Sequence, residues 1–186
     1  MKRILIIASC ALLLGAGCGR TSAPTPLPSL PQISEAPHGF LKFNGDRYSL
    51  HYPETWTKDE SKRVSGAQVL FFAPFDTSNI SHANISVMAL PYTSKLGSLN
   101  ELQQQSTREL EAAGAHSVVA TIVPFARETA LKVTYILKQF EVEYTGVQYV
   151  VIHEEKTFLV LNFTADREGN DYLKEFENLV NTVSLD

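Results

Sequence analysis

Short runs of alternating apolar and polar residues follow one another after residue 38. Tyr48, Leu50 and Tyr52 alternate with polar neighbours. This pattern indicates a strand with one buried face, because successive side chains of a strand point to opposite faces. The Asn44-Gly45 pair just before it predicts a tight hairpin turn. Similar runs predict further strands over 39–43, 67–73 and 84–90.

A helical pattern separates these strands from a second set. Ser98 and Glu101 have the spacing of a capping box, in which each side chain bonds the other residue's backbone N–H. Gly114 is typical of a helix end, so we predict a helix between Ser98 and Gly114. Its inward-facing residues are predicted to be Leu99, Leu102, Ser106, Leu110 and Ala113.

The second half repeats the order of strands followed by a helix. Strands are predicted over 117–123, 131–140, 147–153 and 158–164, and a final helix near Asn170 or Asp171. Most strands are joined by short connections, which favour antiparallel pairing. We therefore predict an α+β domain over residues 39–186, with a single core and two helices packed on an antiparallel sheet.

Residues 1–17 have the three-part layout of a secretory signal. Lys2 and Arg3 precede an apolar run that is too short to span a bilayer, and small residues follow it. The text Leu14-Gly15-Ala16-Gly17-Cys18 resembles the lipobox of bacterial lipoproteins. This resemblance implies cleavage before Cys18 and attachment of two or three acyl chains to that cysteine, enough to hold a protein firmly at a membrane.

Cysteine and charge counts agree with this interpretation. The chain has two cysteines, and the other, Cys10, would leave with the signal, so Cys18 would keep no intramolecular partner. Residues 18–38 are rich in Pro, Ser and Thr, and predict an extended tether that reaches roughly 60 Å. The net charge of −4 is compatible with a role in the cell envelope and makes nucleic acid an unlikely partner.

Several short texts resemble the PsbP-like family, whose fold is shared with the Mog proteins that bind the Ran GTPase. They are the segment from Tyr48 to Trp56, which includes Tyr-Pro-x-x-Trp, the hairpin over 147–164, and the closing Val183-Ser184-Leu185. The resemblance covers most of residues 39–186 and implies a PsbP/Mog-like sandwich. The family includes extrinsic subunits of photosystem II and many bacterial envelope lipoproteins, but no photosystem-binding or manganese-binding residues can be carried over to this chain.

Three residues are candidates for contact with a partner protein. Trp56 could be a binding anchor, although a core position, with the indole N–H bonded to a carbonyl, explains it better. Phe75 and Ile80 lie in a connector over 74–83 that is longer than a usual hairpin loop. They could present apolar groups to a partner; alternatively, the connector is a surface loop whose Phe75 folds back on the sheet.

The sequence predicts no catalytic residues, metal site or cofactor. It has neither a nucleophile elbow nor a phosphate-binding glycine loop. The five histidines show no paired ligand spacing, and a metal site would need three or four ligands brought together by folding. The five are His38, His51, His82, His116 and His153.

Together these observations predict a lipid-anchored, non-enzymatic module that binds another envelope protein or complex. The alternatives are a carrier of a small ligand or metal and, in a photosynthetic host, an extrinsic protein of photosystem II. The residue after Cys18 is Gly19 rather than aspartate, which favours the outer membrane, facing the periplasm, in a host with two membranes. In a host with one membrane, the same anchor implies the outer face of the cytoplasmic membrane.

Overall fold

The computed structural model describes residues 37–61 and 66–186, whose strands form two antiparallel sheets. The small sheet has the order β1-β2-β10, with β1 (Phe40–Asn44), β2 (Tyr48–Pro53) and β10 (Ser184–Leu185). The large sheet has the order β3-β4-β5-β9-β8-β7-β6, with β3 (Thr57–Asp59), β4 (Val69–Phe72), β5 (Ala83–Pro91), β6 (Ala115–Phe125), β7 (Glu128–Gln139), β8 (Val142–His153) and β9 (Thr157–Ala165). The helices are α1 (Leu99–Ala112) and α2 (Leu173–Val180).

Both faces of the large sheet are covered. Helix α1 packs on one face over β6, β7 and β8, while α2 and the small sheet lie on the other. Side chains of β9 alternate between the two sides: Phe158 and Val160 point towards α1, and Leu159 and Leu161 point towards α2. The single core predicted from the sequence is wrong for this reason, since a sheet with two buried faces separates two hydrophobic clusters.

The β1–β2 hairpin forms where the alternation predicted it, but its turn lies two residues later than the predicted Asn44-Gly45 turn. Asn44 pairs with Ser49 and the Gly45 N–H donates to the Tyr48 carbonyl at 2.9 Å, so the turn residues are Asp46 and Arg47. Gly45 instead lies against the fully buried Tyr48, whose ring would be 2.2 Å from a Cβ at this position. Glycine is required here because it leaves room for that ring.

Helix α1 begins as predicted. The Ser98 side chain accepts from the Glu101 backbone N–H, and the Glu101 side chain accepts from the Ser98 N–H, so the capping box is confirmed. Leu102 is buried in the cluster under α1, but Ala113 is exposed because it follows the last helical turn. Helix α2 begins at Leu173, after a 3-10 turn over Asn170–Tyr172.

Two short strands, β3 and β10, were not predicted, since three polar residues and two residues carry no periodic signal. The predicted signal peptide, Cys18 and nearly all of the tether lie outside the described residues and stay predictions. No helix in 37–61 and 66–186 combines the length and the hydropathy needed to cross a membrane.

Candidate partner-binding surface

The connector between β4 and β5, residues 74–82, is exposed along most of its length. Phe75 is 46% exposed and Ile80 is 51% exposed, so neither side chain folds back completely onto the sheet. The Phe75 ring keeps one contact with Phe72, at a centroid distance of 6.2 Å. The sequence had left open whether these two residues point outward, and the structure places both at the surface.

Asp76 fixes the backbone between the two apolar side chains. Its Oδ1 accepts hydrogen bonds from the backbone N–H groups of Ser78 and Ile80, both at 2.8 Å, and its own N–H donates to the Ile80 carbonyl. The bond from Ile80 is the main reason that the pKa of Asp76 lies below its ordinary value. Asn79 adopts φ 60°, a conformation that asparagine tolerates better than most residues. Phe75 and Ile80 therefore flank a closed turn.

His82 attaches this loop to the segment after β9. Its Nδ1 lies 2.8 Å from Asp166 Oδ2, and its Nε2 lies 3.2 Å from Glu168 Oε2 and 3.4 Å from Asp76 Oδ2. Because ionised carboxylates only accept hydrogen bonds, the imidazolium form, which carries a hydrogen on both ring nitrogens, suits this arrangement best. The hydrogen bond to Asp166 contributes most to raising the pKa of His82 above its ordinary value. We call these four residues the His82 clasp.

Backbone contacts reinforce the clasp. The Asp166 N–H donates to the His82 carbonyl at 3.0 Å, and Asp166 Oδ1 accepts from the N–H groups of Glu168 and Gly169. Gly169 packs directly against His82, since a Cβ at that position would lie 2.1 Å from the His82 carbonyl oxygen. The loop that carries Phe75 and Ile80 thus rests on a second loop that is itself tightly turned.

The polar groups of the clasp are bonded to one another and to neighbouring backbone. Both ring nitrogens of His82 face carboxylates. The nearby Ser81 hydroxyl lies 2.8 and 2.9 Å from the carbonyls of Ala73 and Ala83. Within residues 37–61 and 66–186, no three His, Cys, Asp or Glu side chains are arranged to hold a metal ion. The clasp is a structural support for the loop.

Trp56 is not part of this exposed surface. Its side chain is 4% exposed and packs edge-on against Tyr172, at a centroid distance of 5.6 Å. The indole N–H donates to Glu175 Oε2 at 2.6 Å. The core interpretation of Trp56 is confirmed, with a carboxylate of α2 in place of the expected carbonyl, whereas its alternative role as a partner anchor fails because a partner cannot reach a buried ring.

A second polar group lies beneath α2. Glu177 bonds the Lys132 ammonium at 2.6 Å and the Tyr149 hydroxyl at 2.7 Å. Burial is the main cause that raises the pKa of Tyr149 to about 12. Next to this group is a cavity of about 150 Å³, lined also by Val123, Phe125 and Val180 among others. Sequence reasoning missed this group because its members come from three separate elements.

The fold and this surface together define the class of protein. It is an α+β sandwich with an exposed apolar loop that is attached through the charged His82 clasp. The described part of the chain contains no recognisable set of catalytic residues. The PsbP family model matches residues 38–185, so the chain belongs to the PsbP family. The sheets and helices are the PsbP/Mog-like fold that the sequence resemblance implied. No curated protein matches the chain.

Solved structures share this fold at low identity. The chain is similar to cyanobacterial PsbP (CyanoP) from Synechocystis sp. PCC 6803, with 18% identity, a TM-score of 0.60, and coverage of 87% of this chain and 100% of that one. It is also similar to LpqN, described as involved in cell envelope biogenesis of Mycobacterium tuberculosis, with 14% identity, a TM-score of 0.58, and coverage of 78% and 90%. A protein of Bacteroides thetaiotaomicron VPI-5482 matches at 18% identity and a TM-score of 0.55; the match covers 78% of this chain but only 48% of that protein.

Proposed function

We propose that this chain is an exported, lipid-anchored member of the PsbP family that binds another envelope protein through the loop over residues 74–82. The observation that carries the proposal is the outward placement of Phe75 and Ile80 on a loop held by Asp76 and by the His82 clasp. Apolar side chains that are exposed on a fixed loop favour binding, because little conformational freedom is lost when a partner covers them. The similarity to LpqN adds an envelope context.

The lipid anchor is the second part of the proposal. Cys18 follows a basic start, an apolar run and small residues, and about twenty residues separate it from β1. An extended segment of that length would allow the domain to lie up to roughly 60 Å from the membrane surface. The anchor would then confine the domain to the compartment where an envelope partner resides.

The binding surface can be tested by quantitative mass spectrometry of what co-purifies with a tagged full-length chain from crosslinked membranes of its host. We expect a stoichiometric protein partner that is lost when Phe75 and Ile80 are both changed to serine. The matched control is Leu90→Ser, which alters an exposed apolar residue at the other end of β5. A partner that survives the double change, or the absence of any stoichiometric partner, would contradict the proposal.

The anchor is tested separately by Cys18→Ala. The variant should accumulate as unprocessed precursor without acyl chains, measured by intact mass. A wild-type protein that is processed normally but carries no lipid would refute this part of the proposal.

A second candidate function, transport of a small ligand, is favoured by the cavity beside Lys132, Tyr149 and Val180. Its volume of about 150 Å³ is below the 300–1,000 Å³ typical of drug-sized ligands, so only a small molecule would fit. Native mass spectrometry of protein purified from its host would show such a ligand as a mass increase that disappears on denaturation. A clean apo mass would count against this candidate.

A further inference from the structure

Strand register places a second exposed apolar group at the same end of the large sheet as the loop over 74–82. Ala165, the last residue of β9, pairs with Ala83 at the start of β5 and with Thr145 of β8. The β7–β8 hairpin continues past this row to the pair Gln139–Val142, so its tip projects about 10 Å further. We call the tip residues Phe140, Glu141 and Val142 the β7–β8 tip.

The tip exposes large apolar side chains on a strained turn. Phe140 is 78% exposed and Val142 is 41% exposed. Phe140 and Glu141 form a two-residue connection in which both have positive φ, 47° and 69°. Such turns strongly prefer Asn-Gly, and a bulky residue with positive φ is uncommon. An aromatic side chain that is largely exposed on a strained backbone suggests contact with another molecule.

The surface between the tip and the His82 clasp is acidic. A cleft of about 490 Å³ separates the tip from residues 166–168, and its lining contains four carboxylates and two cations: Glu141, Glu143, Asp166, Glu168, Lys138 and Arg167. Glu141 already bonds Lys138 at 2.9 Å. With Asp76 and a charged His82 included, five carboxylates face three cations. The apolar groups therefore border a surface with excess negative charge.

The described chain also begins at this end. The Gly39 carbonyl accepts from the Glu54 N–H at 2.9 Å, and Thr57, three residues further on, pairs with Phe72 at the foot of the loop over 74–82. A tether that joins the domain at Gly39 would therefore connect to the apolar and acidic end of the large sheet.

We propose that the β7–β8 tip and the loop over 74–82 together bind one protein segment that presents apolar side chains beside lysine or arginine. Strands β5 and β8 are two strand spacings apart, about 10 Å, and the tip projects about 10 Å further along the strands, so the two apolar groups are separated by roughly 14 Å, which an extended segment of several residues can bridge. Apolar residues would cover Phe140 and Ile80, while the basic residues would enter the acidic cleft. A lipid surface fits less well, since anionic headgroups would be repelled by the carboxylates. The inference rests on the proposed function, namely that the domain binds a protein.

Site-specific photo-crosslinking tests this inference with the full-length lipoprotein in its own host. Benzoylphenylalanine would replace Phe140, Phe75 or, as a control, Leu90, and adducts would be mapped by mass spectrometry. We expect Phe140 and Phe75 to give the same protein adduct, in a segment of net positive charge, and Leu90 to give none. Glu143→Lys should lower the Phe140 adduct by about tenfold, whereas Glu155→Lys, at the β8–β9 turn, should leave it unchanged.

Each other result overturns a defined part of the argument. Adducts at Phe140 that contain lipid only would show that the tip faces the bilayer. A protein adduct at Phe75 without one at Phe140, or one at Phe140 that does not respond to Glu143→Lys, would overturn the shared basic partner and leave the proposed function standing. Absence of protein adducts at both positions would overturn the proposed function as well.

Discussion

His82 connects two loops through a charge that depends on pH. Its hydrogen bond to Asp166, followed by its contacts with Asp76 and Glu168, raises its pKa in the folded protein above the value of about 6.5 in an unfolded chain. A raised pKa means that the folded state binds the proton more tightly. The stabilisation is therefore complete below about pH 6.5 and is lost as pH rises through the folded-state pKa.

His82→Gln should remove this dependence. We expect the difference in unfolding free energy between wild type and variant to be largest near pH 6 and to shrink as the pH rises into the alkaline range. Urea denaturation at a series of pH values measures it. His116→Gln, which replaces an exposed histidine of β6, is the matched control for the loss of an imidazole. A difference that grows with pH would mean that the imidazolium is not the stabilising form.

Trp56 shows how a core residue can depend on one polar bond. The change Trp56→Phe keeps an aromatic ring against Tyr172 but removes the donor to Glu175. Hydrogen bonds to charged groups contribute about 1.5–3 kcal/mol, so we expect a loss of that order in unfolding free energy. Glu175→Gln keeps an acceptor and should cost less. Thermal unfolding followed by far-UV circular dichroism would compare the variants, and equal stability of Trp56→Phe and wild type would contradict the argument.

Local signals at single residues were predictable, and distant partners were not. Ser98 and Glu101 lie in one turn, so their spacing alone identified the helix start. Phe75 and Ile80 were recognisable as candidates from loop length and composition. In contrast, His82 and Asp166 are 84 positions apart, and Trp56 and Glu175 are 119 positions apart. Only the strand order brings these residues together, and a single sequence does not contain it.

Among the elements, the β7–β8 turn shows most clearly a sequence that is unfavourable for stability. Its two residues adopt positive φ, and the exposed Phe140 ring makes no compensating burial. Left-handed backbone conformation costs roughly 1–2 kcal/mol for an ordinary residue. Replacing Phe140-Glu141 with Asn-Gly should therefore stabilise the domain by about 1–3 kcal/mol, because both new residues suit a type I′ turn.

Equilibrium denaturation measures this gain in stability. The yield of the crosslinked adduct with the partner measures the accompanying loss of binding. We expect the stabilised Asn-Gly variant to bind its partner more weakly, since the exposed ring is gone. The single change Glu141→Gly relieves part of the strain and keeps Phe140, but it also removes one carboxylate of the acidic cleft. It should therefore gain stability and lose less binding than the Asn-Gly variant, and binding as weak as in the Asn-Gly variant would contradict the role of the Phe140 ring.

Long strands were predicted better than short strands, and better than the order in which the strands pair. The strands β7, β8 and β9 each contain enough alternating or apolar residues to be recognised, but β8 begins at Val142, five residues before its predicted start. Their alternation did not reveal that β9 lies between β5 and β8, because a strand buried on both faces is apolar at almost every position. This is why the sequence indicated one core where the structure has two.

At the scale of the whole molecule, both hydrophobic clusters depend on the same strand. Phe176 of α2 is fully buried, with its ring 5.3 Å from that of Phe163 on β9, and Leu102 of α1 packs on the opposite face. We expect Phe176→Ala to cost about 3–5 kcal/mol and Leu102→Ala about 2–5 kcal/mol.

Each variant should still unfold in one transition. Fluorescence of Trp56, the single tryptophan of the chain, reports on the α2 side, and far-UV circular dichroism reports on the whole domain. Coincident curves are expected for both variants and for the exposed control Leu90→Ala. Separate transitions would show that the two sides of the large sheet are independently stable.

The strand order also bears on the timing of folding. Strand β5 pairs on its inner side with β9, which follows it by more than sixty residues. Strand β2 pairs with β10, at Ser184–Leu185. The core around Trp56 likewise remains open on one side until α2 has formed. In a chain threaded through a membrane N-terminus first, as the proposed export requires, the cluster under α1 cannot be completed before β9 has been released, nor the cluster under α2 before α2 and β10 have been released. During the proposed export, the late position of these partners would help to keep the chain unfolded, because a domain that closes too early could not pass through the membrane.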